Sequence, residues 1–247
     1  MKNMTRETDV RLSVVLPVHN EKENLPIVVN ELLRNIGNVI KEIIIVDDCS
    51  DDSTSNLAEE LADKIGRIKV IHRSPPSGLG RAIRNGFAKA SGNYILTIDS
   101  DMEMLPEEVP RMLTKLKDTG CDVVVGSRFA EGSVLKGYSK FKCFFNRAFN
   151  NIFKYVLGTR ISDLTFGFKI LRDVIVGSIN WKSETHGIAG ETTMKPIAFG
   201  FAVEEVPVSW VRRKYGKSKF KVSYYYEYVF IGINASLQRL IRLLREW

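Results

Sequence analysis

The stretch NYILTIDSDMEML, residues 93–105, decides how the chain folds. Its β-prone apolar run ends abruptly in Asp99, Asp101 and Glu103, with Pro106 just beyond. A strand that is apolar throughout belongs inside a sheet covered on both faces, so acids at its end lie at the sheet's edge. If the chain stays extended, these alternate positions project to one side, where like charges repel unless something positive lies between them.

The same construction recurs on either side. LSVVLPV (12–18), EIIIVDD (42–48), RIKVIH (67–72) and CDVVVGS (121–127) are short apolar runs, separated by helical stretches at 21–36, 53–65 and 79–91 and by a helix opening near Pro106. This alternation predicts an α/β fold with a mostly parallel sheet flanked by helices. In open sheets of this kind ligands bind beyond the carboxyl ends of the strands. Here those ends are polar: Pro17, Val18, His19, Asn20 and Glu21 after the first, Asp47 to Asp52 after the second, and Asp99, Ser100 and Asp101 after the fourth. Taken singly, Asn20, Ser50 and Asp52 read equally well as caps of the following helices. The coincidence at three strand ends favours a site.

Composition narrows the partner. Of 247 residues, 44% are hydrophobic and 26% charged, as in an ordinary globular protein with one sizeable core, and the net charge of +7 favours an anionic partner. Nucleic acid, a phosphorylated substrate and an anionic membrane surface all satisfy that charge. Cys49, Cys121 and Cys143 form no CxxC, which argues against a zinc site or disulfide framework and for a reducing cytoplasm. Residues 1–11 contain no apolar signal core, and no run is long enough for a membrane span.

The second half is less regular. KFKCFFNRAFNNIFKYVL (140–157) carries a Phe-rich helical stripe, read as core packing ahead of lipid contact. VEEVPVSWV (203–211) reads as one strand, followed by the basic RRKYGKSKFK (212–221). From Ile233 to Trp247 the apolar residues lie on one side and Arg239, Arg242 and Arg245 away from them. Both a docked terminal helix and a basic amphipathic helix on a membrane fit this pattern. The chain is therefore divided into a domain at 1–221 and a C-terminal amphipathic segment at 222–247.

Asp99 and Asp101 form a D-x-D, two hard carboxylates suited to Mg²⁺ or Mn²⁺ with positions left open for phosphate oxygens. Such an ion offsets charge developing on a diphosphate leaving group. Gly78 and Gly80 are small residues that let backbone approach a ligand, but GLGRAIR (78–84) lacks the third glycine of a dinucleotide fingerprint and does not follow the first strand. That departure argues against a Rossmann dehydrogenase.

VVLPVHNEKENLP, IIIVDDCSDDS, GLGRAIRNGF, YILTIDSDMEMLPEEV and VVVGSRF together resemble the GT-A domain of family 2 inverting glycosyltransferases. RAFNN (147–151), ISDLTFGFKILR (161–172) and VPVSWVRRKYGKSKF (206–220) look more narrowly like the polyprenyl-phosphate sugar transferases, the dolichyl-phosphate mannosyltransferase branch above all. The resemblance implies that Pro17, Val18, Asn20, Glu21, Asp47, Asp48, Asp52, Gly80, Ala82 and Ser100 surround the nucleotide sugar. It implies that Asp99, Asp101 and Glu103 hold the metal, Glu103 standing where relatives often carry Gln. Arg128, Arg147 and Arg213, with Ser218 and Lys219, match basic positions that hold the acceptor phosphate. Asp163 is implied to meet a sugar hydroxyl or brace Arg147. Glu191 matches an acid facing the donor sugar, although the surrounding HGIAGETTMKP departs from the usual pattern and Pro196 is expected to break its helix early. His19 and His186 receive no role.

A lipid phosphate acceptor is already anionic and needs no catalytic base. The implied reaction is transfer from a nucleotide sugar, GDP-mannose favoured over UDP-glucose and UDP-N-acetylglucosamine, to polyprenyl or dolichyl phosphate. The implied location is peripheral on the cytoplasmic face of a membrane, directly or through a small membrane partner protein, with no role for nucleic acid. Three alternatives are weaker. A processive synthase would carry Q-x-x-R-W ahead of membrane helices, which Gln238 to Leu243 only half mimics. A hydroxyl-acceptor transferase would leave the SDLT and YGxSK motifs unexplained. A non-catalytic basic module binding nucleic acid or membrane predicts that Asp101→Asn leaves function intact, whereas the enzyme reading predicts near-complete loss of transfer.

Overall fold

The computed structural model describes residues 9–216 and 224–246. Among the described residues nine strands form: β1 (Leu12–Val18), β2 (Ile40–Asp47), β3 (Ile68–His72), β4 (Tyr94–Thr97), β5 (Val123–Ser127), β6 (Val134–Lys136), β7 (Lys169–Arg172), β8 (Val203–Pro207) and β9 (Ser209–Val211). They alternate with α1 (Leu25–Ile36), α2 (Thr54–Lys64), α3 (Leu79–Lys89), α4 (Val109–Thr119), α5 (Lys140–Val156), α6 (Asp173–Ser178), α7 (Ile188–Phe199) and α8 (Tyr224–Glu246). The main sheet runs β3-β2-β1-β4-β7-β5-β8, parallel except where β7 lies antiparallel between β4 and β5. The strand order reverses at β1, between β2 and β4, which opens a crevice beyond their carboxyl ends.

All seven residues of β1 are buried, which is why its sequence is apolar rather than alternating, save Ser13, whose Oγ donates to Glu42 Oε1 at 2.7 Å. Val14 and Leu16 face Val28, Val29 and Leu32 of α1, while Val15 faces Ile83 and Phe87 of α3 on the other side. Gly86 sits where α3 crosses β1; a Cβ there would lie 2.3 Å from Val15 Cγ1, so only glycine lets helix and strand approach this closely.

Four details depart from expectation. The stretch 203–211 divides after Pro207 into β8, which joins the main sheet, and β9, which pairs with β6 in a second sheet. Pro196 does not break α7, which continues to Phe199 and ends at Gly200 with φ 86°. An internal proline costs a free helix about 3 kcal/mol, and here burial of nearly the whole helix offsets that penalty. In α5 only Asn150 and Phe153 are buried, whereas Phe141, Phe144, Phe145, Ile152 and Val156 are exposed. The stripe read as core is therefore mostly surface.

The fourth departure concerns α8. It docks through Tyr228, Ile231, Gly232 and Ala235 against α5 and α7, as one of the two readings of this segment expected, but not through the apolar stripe that begins at Ile233. Arg239 and Arg242 lie on this inner side, Arg239 Nη1 donating to the Val156 carbonyl at 3.4 Å. Ile233, Leu237, Leu240, Ile241 and Leu244 point outward. No described helix is long and apolar enough to cross a membrane.

Candidate active site

The strand-end acids converge by a turn rather than by strand alternation. The chain leaves β4 at Thr97, and Met102 adopts φ 61°, folding Asp101 and Glu103 back toward Asp99. Asp101 Oδ1 accepts from the Glu103 amide at 2.9 Å, and the Asp99 amide lies 3.4 Å from Met104 Sδ. Asp101 is buried. Burial first, then the Glu103 charge, lifts the Asp99 carboxyl to about 6; burial, then the Asp99 and Glu103 charges, lifts Asp101 to about 8.

The positive group between these acids is Arg213. Its Nε donates to Glu103 Oε1 at 2.8 Å and its Nη2 pairs with Asp101 Oδ2. Burial works against the guanidinium charge, but the Glu103 hydrogen bond and the Asp101 and Glu103 charges outweigh it and hold Arg213 firmly protonated. The residue expected on an acceptor phosphate thus rests on the strand-end acids.

A cavity of about 1130 Å³ opens over this cluster. Pro17, Val18, Glu21, Asp48, Asp99, Ser100, Asp101, Glu103, Arg128 and Arg213 all line it. Asp48 accepts from the Gly78 amide at 2.6 Å and from Arg73, which ties the end of β2 to the start of α3. Ser100 Oγ donates to the Pro17 carbonyl at 3.1 Å, and Asn24 Nδ2 donates to Glu21 Oε2 at 2.7 Å.

Other assigned residues lie behind the wall. Asp47 accepts from the Ser50 amide, from Ser55 and from His72. These bonds outweigh burial and hold its carboxyl below the ordinary range. Asn20, at φ 57°, ties the β1 end to Ser50 and Asp51. Asp52 accepts from the Thr54 amide at 2.8 Å, as a helix-start residue does. Ala82 is buried against Ile44 and Val46. Gly80 is small for protein rather than ligand, because a Cβ there would lie 2.3 Å from the Ser183 carbonyl oxygen.

Glu191 does not face the cavity. Its carboxylate is buried, accepts from the Lys182 and Ser183 amides and pairs with Lys195. It fixes the loop that presses on α3. Asp163 is likewise fully buried and grips Arg128, not Arg147, through Nε at 2.7 Å and Nη2 at 2.9 Å. Burial opposes the Asp163 charge, but Arg128 more than compensates and keeps the carboxyl low. A guanidinium has five N–H donors; Arg128 spends two on Asp163, one on Thr165 and one on Tyr138.

Arg147 is exposed, its guanidinium 4.9 Å from the Phe129 ring centre, outside the cavity lining. Ser218 and Lys219 lie outside the described residues. Several lining residues carried no assignment: His19, His186, Lys142, Arg212, Lys214 and the tyrosines Tyr224, Tyr225 and Tyr228. A basic run followed by three consecutive tyrosines at 224–226 was the available signal. Burial lowers His186 to about 4, which makes it a neutral ring, stacked 4.5 Å from Tyr224.

Asp99, Asp101 and Glu103 are the oxygen donors a hard divalent cation takes, although among the described residues no three acids stand grouped to hold one while Arg213 occupies Asp101 and Glu103. Among the described residues no hydrogen bond reaches the Asp99 carboxylate, and its charge, like that of Asp101, is under-compensated where it stands. A cavity at the switch point of an open, mostly parallel α/β sheet is the architecture of a GT-A fold. The chain belongs to glycosyl transferase family 2, whose family model matches residues 13–179. It is 31% identical over 246 residues to the polyprenol monophosphomannose synthase of Mycolicibacterium smegmatis, covering 95% of this chain and 92% of that protein. It is 31% identical over 228 residues to the dolichol-phosphate mannosyltransferase of Pyrococcus furiosus, 89% of this chain and 62% of that longer protein. Glucosyl-3-phosphoglycerate synthase of Mycobacterium tuberculosis, crystallised with Mn²⁺, UDP-glucose and phosphoglyceric acid, has the same fold, with a TM-score of 0.69 at 20% identity over 95% of this chain and 81% of that one.

Proposed function

We propose that the enzyme transfers mannose, with inversion, from GDP-mannose to polyprenyl or dolichyl phosphate with the help of Mg²⁺ or Mn²⁺. One observation carries the reading: a single cavity joins an acid cluster, a basic cluster and the first turns of two helices with exposed apolar faces. Ser139, Lys142 and Asn146 at the start of α5 line it, as do Tyr224, Tyr225 and Tyr228 at the start of α8. Just outside, Phe141, Phe144, Tyr226 and Phe230 are each at least 68% exposed. A nucleotide diphosphate suits the acids, a phosphate suits the basic wall, and an isoprenoid suits the apolar rim. The names of the two 31% identical relatives favour mannose and a polyprenyl acceptor.

Asp99, Asp101 and Glu103 would hold the divalent ion, which supplies positive charge to the diphosphate leaving group. Asp48 and Glu21 orient the nucleoside. Arg128, held rigid by Asp163, presents its remaining N–H to the acceptor phosphate, with Lys142, Arg212 and Lys214 adding charge. That phosphate attacks as an anion, so no side chain need remove a proton. The lipid reading also places the protein peripherally on a membrane, on its cytoplasmic face where nucleotide sugars are available.

The test is transfer of radiolabel from GDP-mannose, UDP-glucose and UDP-N-acetylglucosamine to polyprenyl phosphate with Mn²⁺ or Mg²⁺. Labelled lipid from GDP-mannose alone is the expected result. Labelling from a UDP-sugar would correct the donor, and no labelling from any of the three would end the proposal.

A further inference from the structure

Arg213 occupies the place that a divalent cation needs. Asp101 Oδ1 is taken by the Glu103 amide, and Asp101 Oδ2 by Arg213. Glu103 Oε1 accepts from the same guanidinium at 2.8 Å. A metal bound to Asp101 through its outer oxygen therefore displaces the Arg213 contact, since a dication and a guanidinium on one carboxylate oxygen repel at short range. The guanidinium already lines the same cavity as Arg128, Arg212 and Lys214.

We infer that Arg213 is a two-position residue, the counter-ion of the acid cluster before the donor arrives and a phosphate ligand of the acceptor afterwards. The inference rests on the reading of Asp99, Asp101 and Glu103 as metal ligands. Before loading, Arg213 keeps three crowded carboxylates compatible with folding. Loading exchanges that cation for the metal and frees the guanidinium for the second substrate. Donor and metal then bind first and acceptor second. By linkage, the metal that releases Arg213 tightens acceptor phosphate through it, and acceptor phosphate tightens metal by the same factor.

Two measurements test this without turnover. The first is Mn²⁺ titration of the full chain, read by electron paramagnetic resonance, for the wild type, Arg213→Met and Arg213→Lys. Removing the resident cation tightens Mn²⁺ binding in Arg213→Met by about tenfold or more, while Arg213→Lys stays close to the wild type. Unchanged or weaker binding in Arg213→Met would overturn the exchange and make Arg213 a fixed brace. If the wild type and both variants fail to bind Mn²⁺, the metal reading falls with it; if all bind equally, only the exchange falls. The second needs no variant to fold: a short-chain polyprenyl phosphate is titrated into wild-type protein with and without Mn²⁺ and GDP. Affinity rises about tenfold when both are present, and equal affinity in the two conditions contradicts the inference. A rise of the same size in Arg213→Met assigns the gain to the metal alone and contradicts it too.

Discussion

Asp163 shows how much depends on a single buried carboxylate. It is the sole carboxylate paired with Arg128 among the described ion pairs, and both side chains are almost fully buried. Removing one partner of such a pair strands the other's charge, at a cost of about 3 kcal/mol or more. Asp163→Asn should therefore lower the melting temperature by roughly 10 °C and also loosen Arg128, seen by calorimetry and as lost transfer. Glu42, at the opposite end of the sheet, is a comparable case. It accepts from Ser13 Oγ and the Ser91 amide, each at 2.7 Å, and pairs with Lys69 at 2.5 Å. Burial raises its carboxyl, but the bonds from Lys69, Ser13 and Ser91 together win and lower it to about 2. A depressed pKa means stability that is complete above the unfolded value of 4.5 and lost as pH falls toward 2. Denaturant titrations from pH 6 to 3 should show Glu42→Gln losing less stability than the wild type, by on the order of 2 kcal/mol. Gly80→Ala should cost about 1–3 kcal/mol, because the Ser183 carbonyl has no room to retreat.

At the scale of elements, α8 works with two faces. Its inner face is fixed by Tyr228 and by Glu227, whose carboxylate accepts from Thr185 Oγ1, from Ser183 Oγ at 2.5 Å and from the Gly187 amide at 3.1 Å. Its outer face is apolar, as is much of that of α5, and exposed apolar faces of this kind mark interaction surfaces. Replacing Phe141, Phe144, Phe230 and Leu237 with Ser should abolish flotation with anionic liposomes while leaving the melting temperature within a few degrees, since none of the four is buried. The core strands were legible because a strand buried on both faces carries a near-continuous apolar run, as IIIV in β2 and VVV in β5 do. The two late helices were not, because periodicity defines a stripe without saying whether protein or something else covers it. For α8 the stripe from Ile233 to Leu244 named the outer face, while docking used the small residues Gly232 and Ala235 together with Arg239. Packing by small residues and half-buried arginines leaves no hydrophobic signature. The short antiparallel β7 was hidden within a motif whose Asp163 and Lys169 are buried and paired, against the usual pattern of polar residues at the surface.

Across the molecule, the acids at the strand ends and the arginines from distant loops share one cavity, and the site reading stands on that meeting. Asp99, Asp101, Glu103, Arg128 and Arg213 were legible as types because a cation and a phosphate demand those types. Their partners were not legible, since Arg128 to Asp163 and Arg213 to Asp101 are long-range contacts that only the folded chain defines. The acids Glu21, Asp48, Asp99, Asp101 and Glu103 and the basic residues Arg128, Lys142, Arg212 and Lys214 line that one cavity. The most direct test of the account is a comparison of two acceptors, polyprenyl phosphate and the corresponding unphosphorylated polyprenol, in label transfer from GDP-mannose by the wild type and Asp101→Asn. The account predicts labelled product from the phosphate only, reduced about 100-fold or more in Asp101→Asn. Equal labelling of the alcohol, or full activity in Asp101→Asn, would contradict it.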